Sequence, residues 1–302
     1  MPAKSKEIIV NIEDKKLKLT SLDKIMFPNH ITKGEVIKYY YDMAEVLLPH
    51  IRQRPLVMKR YPEGIYGDYF YQKECPAHAP EWVRTFAISH GGKKVNYVVC
   101  DNLPTLIWLV NLGCLEIHAW TSRVSSIECP DTAVMDLDPA PGTEFADVLK
   151  AAILVKQALK EFGLKSYPKT SGSRGIHLFV PIAPKHSFAD VTKAMKYIAE
   201  IIEKIYPAKC TTERAVEKRG SKIYLDYLQN ARGRTMAWQY SLRPKPGAPV
   251  SAPLIWEEVE RGNIDPGNFN IRTIFQRLQL YGDLYAQIFN TGQNLDNILK
   301  LV

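Results

Sequence analysis

Val134-Met135-Asp136-Leu137-Asp138-Pro139 reads as a short buried strand that presents two acids and then stops. Side chains alternate along a strand, so Asp136 and Asp138 share one face while Met135 and Leu137 point into a core. Two neighbouring carboxylates repel unless a cation lies between them. Hard oxygen ligands suit Mg²⁺ or Mn²⁺, which makes a divalent-metal site one reading. A strand-end turn is the other, because Asp is common beside Pro and Gly in turns. The pair alone leaves both open.

The surrounding chain is that of an ordinary globule. Its 302 residues suffice for a large core, and 46% hydrophobic and 24% charged residues exclude a disordered or fibrous chain. Forty Lys+Arg against 32 Asp+Glu leave a formal charge of +8, which permits a polyphosphate or nucleic-acid partner without requiring one. Five scattered cysteines, with no C-x-x-C pair, indicate neither a disulfide framework nor a zinc knuckle, so reduced thiols are expected. Cys75-Pro-Ala-His78 has the spacing of half a metal site with no second half. The N-terminal Met1-Pro2-Ala3-Lys4-Ser5-Lys6-Glu7 carries no apolar segment, and no run approaches a membrane span, so a soluble, cytoplasmic protein with no membrane partner is expected.

Outward from the acid strand, the pattern predicts mixed helices and strands. Residues 8 to 20 alternate weakly. Thr32-Lys33-Gly34-Glu35 is a capping box opening a helix that ends at Pro49; Lys33 lies in its first turn, as an anion site or an exposed lysine. Pro55 to Pro62 is strand-like and ends in Lys59 and Arg60. Asp68-Tyr69-Phe70-Tyr71-Gln72-Lys73 is an aromatic cluster beside basic residues, suited to strand core or to stacking on bases. Residues 75 to 94 look like a long surface excursion, Leu103 to Leu112 like a short buried helix, and Leu115 to Trp120 like a strand with Glu116, His118 and Trp120 on one face, more core than pocket wall. Beyond the acids, helices are predicted over 144 to 162 and from the Ser187 to Asp190 capping box, an exposed loop over 208 to 221, and one amphipathic helix from Ile271 to Phe289.

Two further stretches add chemistry. Lys169-Thr170-Ser171-Gly172-Ser173-Arg174-Gly175 is a small-residue basic loop followed by the strand Ile176-His177-Leu178-Phe179. Successive N–H groups in such a loop can converge on an anion, with Ser and Arg adding donors. The Gly-Lys-Ser/Thr ending of a Walker loop is absent, and a plain hairpin turn fits equally. Lys222 to Leu228 is a strand that buries Asp226 among apolar neighbours. An unpaired carboxylate there is costly, so Asp226 needs a cation and is the natural third ligand for Asp136 and Asp138.

The ordered set of Asp136-x-Asp138, Ser171-Gly-Ser-Arg174-Gly-x-His177, Leu225-Asp226-Tyr227 and Ser241-Leu242-Arg243-Pro244 resembles the polymerase module of the prokaryotic end-joining ligases (LigD), a branch of the archaeo-eukaryotic primase superfamily. The resemblance extends over nearly the whole chain, including Met58 to Pro62, Phe70 to Lys73 and Glu116-Ile117-His118. It implies an α+β primase-polymerase fold: two interlocked α/β subdomains, a catalytic RRM-like sheet and an active-site cleft between them. The whole of 1–302 would be one domain, with an N-terminal part over about 1–125, a catalytic part over about 126–260 and a C-terminal helical tail over about 265–302.

The implied reaction is template-directed nucleotidyl transfer, in which a primer 3′-hydroxyl attacks the α-phosphate of an NTP or dNTP and pyrophosphate leaves. Asp136 and Asp138 would bridge two Mn²⁺ or Mg²⁺ ions and Asp226 would complete the hydroxyl-activating site. Ser171, Arg174, His177 and Arg243 would grip the triphosphate with Lys59 and His118; Phe70 would stack on the incoming nucleotide and Gln229 would lie close to it. Lys24 and Lys33 would take the downstream 5′-phosphate of gapped or broken DNA, and Arg219 would belong to a loop that helps two ends meet. Ribonucleotide preference, nucleoid association, and Ku-like and separate ligase partners follow from the same resemblance. Other members carry Lys where this chain has Arg174, which keeps the charge but changes its geometry. A metal-dependent nuclease and a non-catalytic end-bridging module are the alternatives from the residues alone.

Overall fold

The weak alternation near the N-terminus closes into an antiparallel hairpin, β1 (Glu7–Ile12) with β2 (Lys15–Thr20). These are the first elements of a computed structural model that describes residues 7–290 and 292–302, so the stretch 1–6 read above lies outside the described residues. The chain forms two units: Met1–Trp120, Thr235–Val250 and Asn270–Thr273 make the first, and Thr121–Arg234, Ser251–Phe269 and Ile274–Val302 the second. Both mix helices with sheets, an α+β architecture.

In the first unit a small pair, β3 (Ile25–Phe27) and β4 (Ile31–Thr32), leads into α1 (Lys33–Ile51). The expected capping box is present: Thr32 Oγ1 accepts the Glu35 N–H at 3.2 Å and Glu35 Oε2 accepts the Thr32 N–H at 2.8 Å. The helix runs two residues past Pro49, its expected end; a proline in the last turn removes one donor without stopping the final carbonyls from pairing. The unit then builds β5 (Pro55–Arg60), β6 (Phe70–Gln72), β7 (Thr85–His90), β8 (Lys93–Val99), α2 (Leu103–Asn111) and β9 (Cys114–Trp120). The excursion expected over 75 to 94 is therefore half hairpin. β7 and β8 pair from Thr85↔Val98 to His90↔Lys93 around Gly91-Gly92, whose positive φ values suit a two-residue turn. The aromatic cluster is an exposed strand, not core.

The second unit carries β10 (Thr132–Pro139), α3 (Phe145–Glu161), β11 (Tyr167–Thr170), β12 (Ile176–Pro181), α4 (Phe188–Ile205), β13 (Cys210–Thr211) and β14 (Ile223–Asp226). The chain returns to the first unit through β15 (Thr235–Ala237), which extends that unit's sheet in the order β15-β9-β5-β8-β7, with β6 also on β5. The tail contributes α5 (Trp256–Arg261), α6 (Ile274–Tyr281) and α7 (Asp296–Leu299) to the second unit. The single helix expected over Ile271 to Phe289 is thus broken. At Gly282-Asp283 the Asp283 side chain accepts the Tyr285 N–H at 3.0 Å, a local bond that competes with the helical ladder.

The second unit's sheet runs β11-β12-β10-β14-β13, with β10 central. One face is apolar: Met135, Leu137, Ile176, Leu178, Ile223 and Leu225 pack into a core with Val148, Ala152 and Val155 of α3 and Val191, Met195 and Ile198 of α4. Each of these side chains except Ala152 contributes roughly 1.5–3 kcal/mol by leaving water. Burying this face sets the register, because a slip of one residue would turn every apolar side chain outward. Beyond the end of β14, Asn230 continues the pairing with its side-chain amide, accepting the Val134 N–H at 2.8 Å and donating to the Val134 carbonyl at 2.7 Å.

The loop joining β11 to β12 lies against β10. A Cβ on Gly175 would stand 2.3 Å from the Leu137 carbonyl oxygen, so the strand and the loop approach only because that side chain is missing. Gly175→Ala is expected to destabilise the protein by about 1–3 kcal/mol, the usual cost of overpacking, read as a lower urea midpoint at unchanged slope. A midpoint equal to that of wild type would mean that the loop moves freely away from β10.

Candidate functional site

The acids lie on the sheet face opposite the α3/α4 core. Cross-strand register places Asp136 directly opposite Asp226 on β14 and directly opposite His177 on β12. Asp138, two residues along, takes the same face beside Tyr224. Like charges directly opposed on neighbouring strands destabilise a sheet, and each acid here has its own partner. Asp136 Oδ1 is 3.4 Å from His177 Nε2, and Asp138 Oδ2 is 3.6 Å from an Arg219 guanidinium nitrogen. Asp226 accepts the Leu228 N–H at 3.0 Å and the Gln229 amide at 2.9 Å. The Asp138 carboxyl is held above its usual range: burial comes first, Asp226's charge adds to it, and Arg219 and Arg174 oppose it.

These three carboxylates fit a divalent ion in donor type and in sharing one face. Among the described residues no three His, Cys, Asp or Glu side chains form a group that could hold a metal ion; the acids have His177, Arg219 and Gln229 among their partners. Cys75 and His78 likewise form no such group.

The small-residue loop is organised by Ser171, whose Oγ accepts the Ser173 and Gly175 N–H groups at 3.1 Å each. Arg174 is exposed at its tip. Arg219 is held more firmly than an exposed-loop residue: its guanidinium donates to the Glu213 and Arg214 carbonyls at 3.0 and 2.8 Å and stacks 3.8 Å above the Tyr224 ring.

The first unit groups Lys59, His118 and Arg243 around a residue to which the sequence reading gave no role. Glu116, on β9, is 0% exposed, and its carboxylate lies 2.5 Å from Lys59 Nζ, 3.2 Å from His118 Nε2 and 2.8 Å from Arg243 Nε. The Tyr61 hydroxyl donates to it at 3.2 Å. Burial raises the Glu116 pKa, but the His118 hydrogen bond and the charges of Arg243, His118 and Lys59 outweigh it and hold the group well below the usual carboxylate range. The signal was available, since an acid among apolar strand neighbours needs a cation, the same argument that singled out Asp226.

Strand alternation separates the aromatic cluster. Tyr69 and Tyr71 flank Lys59, whose ammonium lies 4.9 and 5.5 Å from their ring centres. Phe70 points the other way, 5.2 Å from the Arg60 guanidinium. Arg60 also lines a pocket of about 250 Å³ with Lys24, Lys33 and Asn111. Lys33 is buried, not exposed, and donates to the Thr20 carbonyl at 2.7 Å; Lys24 donates to the Pro62 carbonyl at 3.0 Å and to Glu63 at 2.8 Å. Burial, reinforced by the charges of Lys24 and Arg60, lowers the Lys33 pKa to about 8. Three cations in one small pocket, one of them driven toward neutrality, make a strong site for a dianion.

A family model described as the LigD primase-polymerase domain matches residues 32–285. The chain is 36% identical over 281 residues to the bifunctional non-homologous end joining protein LigD of Bacillus subtilis, covering 92% of this chain and 45% of that protein. It is 32% identical over 278 residues to the multifunctional non-homologous end joining protein LigD of Mycolicibacterium smegmatis, covering 90% and 36%. The solved polymerase domain from Mycobacterium tuberculosis ligase D in complex with DNA matches with a TM-score of 0.85 at 30% identity, covering 92% of this chain and 99% of that one. The chain therefore spans less than half the length of these two curated relatives. No helix among the described residues is long and apolar enough to cross a membrane.

Glu116→Ala leaves Lys59, His118 and Arg243 crowded together without their shared anion. Breaking a buried ionic cluster from one side typically costs about 3–5 kcal/mol, so denaturant unfolding should show a loss of that order. A loss below about 1 kcal/mol would show that Lys59, His118 and Arg243 do not depend on Glu116.

Proposed function

The chain belongs to the LigD primase-polymerase family, and from that premise we propose that it is a template-directed nucleotidyltransferase that extends primers and fills gaps at DNA double-strand breaks during end joining. The observation that carries this reading is the Asp136, Asp138 and Asp226 face on one sheet beside the Ser171 loop, in a chain matched over most of its length by that family. Asp136 and Asp138 would hold two divalent ions, with Asp226 as third ligand of one; when bound, Mn²⁺ or Mg²⁺ supplies the acidity that readies a hydroxyl nucleophile and the charge that offsets the phosphates.

The chain's own groups take the remaining roles. Ser171, Arg174 and His177 are assigned to the triphosphate, and Gln229, bonded to Asp226, lies close to the nucleotide. Lys59, His118 and Arg243 are assigned to the triphosphate, pre-positioned by Glu116 so that little reorganisation is needed when an anion arrives. Phe70 offers an exposed face for stacking on a nucleotide, and Tyr69 and Tyr71 offer two more. The pocket of Lys24, Lys33 and Arg60 is assigned to the downstream 5′-phosphate, and Arg219 to the loop that responds when ends are joined. Ribonucleotide preference, and Ku-like and ligase partners supplied by other chains or domains, complete the proposal.

Asp138→Ala is expected to abolish primer extension on gapped DNA while leaving binding to the same DNA within about threefold, since its charge is already offset by Arg219. Retained extension would sink the mechanism, and nucleotide-independent cleavage would favour a nuclease.

The phosphate pocket predicts a pH dependence. Only the ammonium form of Lys33 attracts a phosphate dianion, and this form is lost as pH rises through about 8. The preference for a 5′-phosphorylated gap over a 5′-hydroxyl gap should therefore shrink between about pH 7 and about pH 9, and Lys33→Met should show a small preference with no such step. Equal binding of both gaps by the wild type at low pH would remove the assignment.

A further inference from the structure

The register that opposes Asp136 to His177 continues one strand further: Lys169 on β11 lies directly opposite His177. Lys169, His177, Asp136 and Asp226 thus form one row across four strands of the sheet. Lys169 is 0% exposed, and none of the roles assigned above uses it.

The proton positions in this row follow from its partners. Ser251 Oγ donates to the Thr170 carbonyl at 2.8 Å, which commits its single proton and leaves the oxygen to accept from Lys169 Nζ at 2.5 Å. Lys169 Nζ also lies 2.9 Å from His177 Nδ1. Nζ lies 5.3 Å from the centre of the Phe179 ring, the placement of an ammonium in a cation–π contact. An ammonium has donors and no acceptor, so Nδ1 must receive its hydrogen bond. The proton of a neutral imidazole is then on Nε2, which faces Asp136 Oδ1 at 3.4 Å.

We infer that Lys169 is a positioning residue that holds His177 as its Nε2–H tautomer, making Nε2 a hydrogen-bond donor toward the acid face and not a ligand for an ion held by Asp136. The tautomer stands on the hydrogen-bond row and on Lys169 as an ammonium beside Phe179; its consequence for metal binding rests on the proposed function. Nothing local in the sequence marks Lys169 for this role, because the partner that consumes its second donor, Ser251, is 82 residues away.

The test is side-chain ¹⁵N NMR of the full chain labelled at histidine, with the His177 signals identified by their loss in His177→Gln. Without metal, His177 should show the Nε2–H pattern, and adding Mg²⁺ should leave Nε2 protonated. An Nδ1–H pattern, an even mixture, or loss of the Nε2 proton on adding Mg²⁺ would overturn the inference. In Lys169→Met, which keeps the length but not the donor, His177 should become a mixture of tautomers. Turnover should fall by roughly tenfold to a hundredfold, the range for removing a group that fixes a histidine's tautomer and orientation, with KM for the nucleotide little changed. A folded Lys169→Met protein that keeps the wild-type tautomer would also overturn it. Should that variant not fold, the wild-type spectrum still decides, and Ser251→Ala gives a second perturbation of Lys169 that leaves His177 intact. A wild-type chain with the Nε2–H pattern but no extension activity would remove the polymerase reading and leave the tautomer standing.

Discussion

Two carboxylates set directly opposite one another on adjacent strands, Asp136 on β10 and Asp226 on β14, are a constraint to which the rest of the second unit answers. Such a pair is unfavourable in a sheet unless it is compensated, and the compensation is visible in every neighbour. His177 stands on the other flank of Asp136, Gln229 and the Leu228 N–H take the Asp226 oxygens, and Arg219 faces Asp138. The arrangement survives because the reverse face of the same strands is buried against α3 and α4, and moving the acids apart by one register step would expose that core. The hydrophobic face thus holds the acids in place, and the acids call for cations.

The first unit solves the mirror problem. There the crowded groups are basic, and the buried carboxylate of Glu116 keeps Lys59, His118 and Arg243 together. A second set of cations, Lys24, Lys33 and Arg60, lines a small pocket with the exposed Glu63, and burial, followed by the charges of Lys24 and Arg60, lowers the Lys33 pKa. The two sets differ in how charge is offset: in one by a carboxylate buried among the basic groups, in the other by a lowered proton affinity.

Much of this was legible in the residues because it depended on local rules. The capping boxes at Thr32 and Ser187, the helix over 145–161 and the buried strand carrying Asp136 and Asp138 follow from periodicity and turn chemistry within a few residues. The misreadings differ in cause. The tail helix breaks on a local bond from the Tyr285 N–H to Asp283 beside Gly282, and the helix begun at Lys33 passes through Pro49 because a proline in the last turn removes only one donor. The excursion over 75–94 instead hides the β7/β8 hairpin, set by pairing that reaches Val98 outside the window being read. Phe70 illustrates the same point at the scale of one side chain. The cluster was visible, but which of Tyr69, Phe70 and Tyr71 flanks Lys59 depends on the pairing of β6 with β5.

By itself the sequence determined the kind of chemistry: acids at alternate positions on a buried strand, a basic small-residue loop, a third acid that needed a cation, and their order along the chain. Residue type and spacing carry that information, because charge, donor count and strand period are properties of the chain alone. Only the tertiary structure decided who faces whom. Register brought Lys169, His177, Asp136 and Asp226 into one row from three separate stretches of sequence, and it turned Glu116 from one more strand residue into the anchor of Lys59, His118 and Arg243. Burial then set the protonation of those groups, for the energy of a charge depends on its surroundings in space, which spacing along a chain does not specify.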